Sequence, residues 1–384
     1  MGATVHTSPA SAPEALNIPP FNLFLPPGSL VLVTGVNGLI ASHAADQFLS
    51  AGYRVLGTVR SLSKTSYLVP LFTSRHGPNH FSRHEMPDLS APGVWDSVFS
   101  SNPGITAVAH VVGCVDLEVS DPDPTAEEDL RWHVSLLEAA ARAGSTVKSF
   151  VFTSSAWAAW TPDSKKKVTL TQDSWNDEAI SLARDKGIPA SEKGMAGFMA
   201  LKTLVEKGVW DWVRRENPPF TFNTLLVDTV IGECLAPREQ GIPSTAGMVR
   251  WVWENQHVHV LDMMQPQWHA DCRDTARLYV ALLATKPVVD RERVYAFSDR
   301  YSFFHVAEIL KRLYPERADK MARPTNFGVD QTTVPRQRGA ELLARLGQKD
   351  GWRSLEESVR ENAESWLQLE KGELMDHKYS KIGN

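Results

Sequence analysis

The segment Val33-Thr34-Gly35-Val36-Asn37-Gly38-Leu39-Ile40-Ala41 constrains this chain more than any other. Leu30–Thr34 is a short apolar, β-branched run suited to a parallel strand buried on both faces. Leu39–Ser50 then has helical periodicity, with Ile40, Ala44 and Phe48 on one face, and Ala51-Gly52 ends it. A strand, a glycine turn and a helix in immediate succession make a cradle for a dinucleotide pyrophosphate. Gly35 permits the tight turn, Gly38 lets the backbone approach the ligand, and Ala41 allows close helix–strand packing. The helix start adds free N–H groups and a positive dipole end. Thr34, Gly35, Asn37, Gly38, Leu39 and Ile40 are therefore candidate cofactor residues.

The rest of the chain continues the alternation. Tyr53–Val59, Phe81–Met86, Ile105–Val112, Ser149–Ser154 and Phe220–Val227 read as further strands, and Thr125–Ala143, Met195–Arg215 and Asp271–Thr285 as helices. Strands and helices at this spacing predict βαβ units, an α/β fold with a Rossmann-type doubly wound parallel sheet. From about Gly232 the alternation loosens into a Pro/Met/Trp-rich stretch at 242–268, and Ser354–Lys371 reads as an amphipathic helix. The expected organisation is an N-terminal extension over 1–27, either flexible or docked on the surface. A dinucleotide domain over 28–231, a smaller substrate lobe over 232–372 that also returns to the sheet, and a tail over 373–384 follow it.

The end of the second strand sets cofactor preference. Sites that prefer NAD place an acidic residue there to grip the ribose 2′-hydroxyl. Here Gly57-Thr58-Val59-Arg60-Ser61 offers a guanidinium, which suits a 2′-phosphate, and Lys64 adds a second positive charge. The reading is NADP(H), with Asp88 and Leu89 placed where the adenine edge would lie.

Composition removes other classes. A net charge of −5 leaves no basic face for nucleic acid, and Lys165–Lys167 reads as a solvated loop. Cys114, Cys234 and Cys272 are too few and too scattered for a disulfide framework or a zinc site, which predicts reduced thiols in a cytoplasmic protein and no metal. No apolar run reaches the roughly 18 residues of a membrane span, and residues 1–27 lack the basic and apolar regions of a signal peptide.

With these residues in view, the chain resembles the extended short-chain dehydrogenases/reductases, in the branch of dihydroflavonol reductases, cinnamoyl-CoA reductases and fungal aldehyde reductases. The resemblance runs from about Gly28 to Gly372. It rests on Thr34–Ala41, Gly57–Ser61, Val108-Ala109-His110, Phe152–Ala156, Lys202-Thr203-Leu204 with Glu206-Lys207, and Arg273–Leu278. It implies hydride transfer between NADPH and a carbonyl or alcohol, in a monomer or homodimer acting on a small molecule. In that chemistry a tyrosine protonates the forming alkoxide, a lysine four residues later lowers the tyrosine pKa and holds the nicotinamide ribose, and a serine binds the substrate oxygen. By position, Ser155 matches the serine and Lys202 the lysine. Val111, Val112, Gly113, Thr153, Val227 and Val230 fall at further cofactor positions. Trp157, Trp160, Phe198 and Asp228 fall where a substrate site is lined, which suits a bulky, secondary-metabolite-like substrate.

The tyrosine is missing. The motif reads Phe198-Met199-Ala200-Leu201-Lys202, and no tyrosine lies between Tyr67 and Tyr279. Losing a positioned general acid typically costs ~10²–10⁴ in rate. Nearby positions drift as well: Val227-Asp228 replaces a proline and a small polar residue, Ser135 stands at a helix position often held by asparagine, and Val112-Gly113 replaces an Ala-Ser pair. Three readings follow. A reductase would take its proton from Ser155, His133, Asp228, Lys202 or water. A redox-neutral cyclase, isomerase or dehydratase would retain NADP(H), and a non-catalytic protein would only bind it. The reductase reading leads on the family resemblance.

Overall fold

Parallel strands need crossover connections of a dozen residues or more, and this chain supplies a helix for nearly every one. The computed structural model describes residues 16, 18, 22–117, 119–189 and 193–371. The strands are β1 (Leu30–Val33), β2 (Arg54–Val59), β3 (Phe81–Glu85), β4 (Ile105–His110), β5 (Ser149–Ser155), β6 (Thr221–Val227), β7 (Thr229–Ile231), β8 (Gln267–Asp271), β9 (Arg293–Ala296) and β10 (Arg300–Tyr301). Seven of them form one parallel sheet in the order β3-β2-β1-β4-β5-β6-β9. The chain moves outward from β1 to β3, then crosses to β4 on its other side. That reversal opens a crevice at the carboxyl ends of β1 and β4, the usual ligand position in such sheets.

The helices are α1 (Leu39–Ser50), α2 (Leu68–His76), α3 (Val94–Ser101), α4 (Pro122–Arg142), α5 (Asp177–Arg184), α6 (Ala196–Glu216), α7 (Pro237–Gln240), α8 (Thr245–Glu254), α9 (Val258–Met263), α10 (Cys272–Ala284), α11 (Phe303–Leu313), α12 (Gln337–Arg345) and α13 (Leu355–Lys371). On one face α1 and α10 share an apolar cluster built from Ala41, Ala44 and Phe48 against Ala276, Val280 and Leu283. On the other, α3, α4 and α6 pack through Trp95, Leu136, Leu201, Val205 and Val209. A Cβ on Gly208 would lie 2.4 Å from Leu130 Cδ2, so this glycine sets how closely α4 and α6 approach.

The predicted doubly wound sheet is borne out, with all six expected strands in place. β4 ends at His110 rather than Val112 because the amides of Val111 and Val112 turn away to donate to Thr34 Oγ1, at 2.8 and 3.1 Å. α4 begins earlier than the periodicity suggests, since Asp121 caps it by accepting from Asp123 N and Pro122 occupies its first turn. Between β5 and α6 the short helix α5 breaks up the long connection. Asn176 caps α5 at Ala179 N and donates from Nδ2 to Trp157 O, tying the segment down.

A second, smaller sheet, β10-β8-β7, lies beyond β6. It shares a separate core with α8, α11 and α13, in which Val359, Ala363 and Trp366 of α13 meet Val252, Trp253 and Leu310. Before β1, Phe24 N donates to Ala284 O and Leu25 is buried beside Tyr53, so residues 22–27 dock on the end of α10. The remainder of the N-terminal extension, apart from residues 16 and 18, and the tail over 373–384 lie outside the described residues. Among the described residues no helix is long and apolar enough to cross a membrane.

Candidate active site

The turn after β1 is shaped as the sequence requires. Gly35 has φ +65°, a conformation that side chains disfavour. Its amide donates to Thr58 Oγ1 at 3.0 Å, and Val36 N donates to Thr58 O at 3.0 Å, which fixes the turn to β2. Gly57 is needed because a Cβ there would sit 2.4 Å from Val36 Cγ1. Gly38 is different: it caps α1 with φ −76°, and a Cβ would meet only Gly35 O at 3.4 Å. The fold itself places little demand on a glycine there, and close approach by a ligand explains it better. No side chain caps α1 and its first turn carries no acid, so its leading amides are left for an anion. These are the features a dinucleotide pyrophosphate fits.

Leu39 and Ile40 open α1 and form one apolar cluster with Val227 and Val230, which brings four predicted cofactor residues together. Asn37 is exposed, and its carbonyl accepts from Gln240 Nε2 at 3.0 Å. Gln240 also reaches Ser42 Oγ, so the second lobe buttresses the cradle through a residue that no local pattern marks.

Arg60 follows β2 directly, is exposed, and makes no ion pair or hydrogen bond among the described residues; Lys64 extends from the next turn without a side-chain partner. Glu85 on the neighbouring strand accepts from Leu62 N at 2.8 Å. Among the described residues neither cation is paired, so both remain open to a phosphate. Asp88, past β3, holds Ser90 through N and Oγ, and these bonds keep its carboxyl below the usual range. Leu89 packs against the core that contains Trp95.

The other end of the crevice holds the candidate catalytic groups. Ser155 closes β5, directly opposite Val227 of β6. Its Oγ accepts from Trp157 N at 3.2 Å, which leaves the hydroxyl proton free to donate to a ligand. Thr153 is engaged by the protein: it donates to His110 O at 2.7 Å and takes the Tyr279 hydroxyl at 2.5 Å. Lys202 stands one turn along α6 from Phe198. Its Nζ donates to Cys114 O at 2.5 Å and lies 5.2 Å from the centre of the Phe198 ring. A Cβ on Gly113 would come within 3.7 Å of that Nζ and 3.8 Å of His133 Cε1. Burial lowers the Lys202 pKa, opposed by the charge of Asp129.

His133, not Ser135, is therefore the α4 residue turned toward Lys202. The Ser135 hydroxyl bonds back to Trp132 O and lines a surface cavity of about 520 Å³ beside α3. Helical rotation explains the difference, since two residues on one helix point ~200° apart. Phe198 is buried and meets Trp157 edge to face at 5.8 Å, while Trp157 Nε1 donates to Gln267 Oε1. Trp160 packs on Phe297, with its indole N–H buried and without a hydrogen-bond partner among the described residues. Asp228 accepts from Trp268 N at 3.0 Å; burial pushes its carboxyl well above the usual range despite that bond, and Asp330 adds to the rise.

A model described as the NAD dependent epimerase/dehydratase family matches residues 31–179. The chain is 35% identical to NAD-dependent epimerase/dehydratase terH of Aspergillus terreus, over 89% of this chain and 98% of that one. It is 32% identical to aldehyde reductase 2 of Sporidiobolus salmonicolor, over 88% and 96% of the two chains. Among solved structures, yeast methylglyoxal/isovaleraldehyde reductase Gre2 complexed with NADPH superposes with a TM-score of 0.72 at 21% identity, covering 89% of this chain and 99% of that one, a likeness of fold. The chain belongs to the NAD-dependent epimerase/dehydratase family, within the nicotinamide-dependent extended short-chain dehydrogenases/reductases.

Proposed function

We propose that this protein is an NADPH-dependent reductase of aldehyde or ketone groups on a bulky, secondary-metabolite-like substrate. The observation that carries the reading is an intact phosphate cradle leading to Ser155 and the half-buried amine of Lys202. Arg60 and Lys64 favour the 2′-phosphate of NADPH over NADH. Gly35, Gly38 and the first turn of α1 would hold the pyrophosphate; Leu39, Ile40, Val227 and Val230 would wall the cleft, and Lys202 would grip the ribose. When bound, the reduced nicotinamide supplies a hydride to the carbonyl carbon. Ser155 donates a hydrogen bond to the carbonyl oxygen, and Lys202 gives that oxygen a proton in place of the missing phenol.

Substrate bulk is supported by the aromatic wall of Trp157 and Phe198. Val115 and Leu117, on the loop that follows Cys114, leave 74% and 50% of their surface in solvent. The name of the relative aldehyde reductase 2 favours the same chemistry. Three free cysteines suit a cytoplasmic protein, acting as a monomer or homodimer without nucleic acid.

Incubation with NADPH and a panel of aliphatic and aromatic aldehydes and ketones, followed by absorbance of the reduced nicotinamide, tests the reading. We expect turnover by the parent and a gain of roughly tenfold or more for Phe198→Tyr, which restores the phenol. Tight NADPH binding without turnover across the panel sinks the reductase reading. Phe198, which can neither give nor take a proton, then favours a redox-neutral enzyme that keeps the cofactor.

A further inference from the structure

A chain of buried polar groups runs beneath the nicotinamide end of the crevice, and the hydride step does not use it. Thr34 Oγ1 lies 2.9 Å from His110 Nδ1, His110 Nε2 lies 2.7 Å from His133 Nδ1, and His133 Nε2 faces Asp129 Oδ2 at 3.5 Å. None of the four residues exposes more than 2% of its surface.

Counting donors fixes the direction of this chain. Thr34 Oγ1 accepts from Val111 N and Val112 N, which uses both lone pairs, so its proton points at His110 Nδ1. His110 is then neutral with its proton on Nε2, in keeping with a pKa that burial drives well below the ordinary value. That proton goes to His133 Nδ1, which leaves the His133 proton on Nε2, directed at Asp129. Every donor therefore points toward one carboxylate. Asp129 Oδ1 also accepts, from Cys114 N at 3.3 Å, while Oδ2 is buried without a hydrogen bond among the described residues and has His133 Nε2 at ion-pair distance, 3.5 Å. Neither oxygen has an acceptor for a carboxylic proton. Burial pushes the Asp129 carboxyl up, but His133 and the Lys202 charge outweigh it and hold the group below its usual range.

Lys202 lies on the far side of Cys114, whose amide donates to Asp129 and whose carbonyl accepts from Lys202 Nζ. Among the described residues, the charges that act on the Lys202 ammonium are those of Asp129 of α4 and the Cys114 thiol, and His133 of α4 shares with it the space beside Gly113. Glu206, one turn along α6, is consumed by Arg293, Ser154 and Thr224, and Asp177 of α5 pairs with Lys207 on the outer side.

We propose that Asp129, held ionised by the one-way chain Thr34–His110–His133, is a positioning residue that keeps Lys202 an ammonium and so lets Lys202 act as proton donor in a site without a phenol. The proposal rests on the reductase reading. In the step, the carbonyl carbon accepts a hydride from the reduced nicotinamide dinucleotide, which is oxidised, and the C=O π pair moves to oxygen. That oxygen takes one proton from Lys202 Nζ, and the neutral amine regains a proton from water. The chain end at Thr34 has no solvent proton to deliver, so it orients the carboxylate and does not resupply the proton.

The test follows two readouts from pH 6 to 10: NADPH affinity, by quenching of tryptophan fluorescence, and kcat for a reducible aldehyde. Removing the opposite charge lowers the Lys202 pKa, so the ammonium is lost at lower pH. For Asp129→Asn the alkaline limb of both readouts is expected to move down by about one to two pH units, a ten- to hundredfold loss of proton affinity. In Asp129→Asn/Phe198→Tyr the phenol recovers kcat while the NADPH limb stays displaced, an outcome that a merely structural role for Asp129 does not give. His133→Asn removes the donor that keeps Asp129 ionised; it should move the limbs the same way by a smaller step, and it serves if Asp129→Asn does not fold. Limbs that stay in place in the folded variants overturn the proposal. A displaced NADPH limb with no carbonyl reduction by any variant, Phe198→Tyr included, leaves the Asp129–Lys202 coupling standing and removes the reductase reading instead.

Discussion

Replacing Glu206 by Gln removes one charge and no volume from a carboxylate that is fully buried. Glu206 Oε1 accepts from Arg293 Nε at 2.8 Å and Thr224 Oγ1 at 3.0 Å, and Oε2 from Arg293 Nη2 at 3.0 Å and Ser154 Oγ at 2.8 Å. The ion pair joins α6 to β5, β6 and β9, one turn from Lys202. A glutamine turns one oxygen into an NH₂ group that meets the Arg293 guanidinium, where neither side can accept. Arg293 is left with the carbonyls of Gln172 and Ser174 and the face of Trp175, but without a counter-charge. Breaking a buried pair at one partner costs about 3–5 kcal/mol. With an unfolding entropy of ~2.1 cal/mol/K per residue, a chain of this length should lose about 4–6 °C in Tm. Urea denaturation and thermal melting measure both, and Glu206→Gln/Arg293→Met, which removes both charges, should be more stable than either single variant. A loss below about 1 kcal/mol, or a double variant as unstable as the sum of the singles, refutes the reasoning.

Other consequences are equally direct. Arg60→Glu places an anion where a 2′-phosphate would sit, so NADPH affinity should fall roughly ten- to hundredfold, the worth of one charge-assisted contact. NADH affinity should hold or rise, and fluorescence titration with each cofactor decides it; equal losses for both would mean Arg60 does not read the phosphate. Asp46 of α1 is clamped by Arg75 Nε at 2.7 Å and His76 Nε2 at 2.7 Å, which hold its carboxyl far below the usual range although burial alone would raise it. A depressed folded pKa gives stability that is present above the unfolded value near ~4 and lost as pH falls through the folded one. The stability gap between the parent and Asp46→Asn should thus be widest near neutrality and narrow below about pH 4. Urea midpoints at three pH values check this, and a gap independent of pH would count against it.

The cradle was legible in the sequence because everything that makes it lies within a dozen residues: strand, turn and helix are consecutive, and Gly35 carries the positive φ its position implies. β7, β8 and β10 were not legible. Each has five residues or fewer, and Gln267-Trp268-His269-Ala270-Asp271 is buried at every position, so no alternation exists to read. Its polar side chains are satisfied by partners far along the chain, as when Ser358 of α13 donates to Asp271 Oδ2. The contact from Gln240 to Asn37 spans about half the chain and belongs to the same class.

The proton-handling groups divide along the same line. The loss of the phenol at 198 is a local fact, visible in five residues. What stands in for it is not local. The i, i+4 spacing of Asp129 and His133 marks them as neighbours on α4, yet that spacing is commonplace on solvated helices. It gains meaning only when β4 sets His110 Nε2 against His133 Nδ1, and when the amides of Val111 and Val112 fill the lone pairs of Thr34. Two backbone donors on one strand end thus set which ring nitrogens of two histidines donate and, through them, put an N–H at 3.5 Å from the Asp129 carboxylate. An acid is defined by the charges and donors packed around it, and a sequence motif names only the side chain.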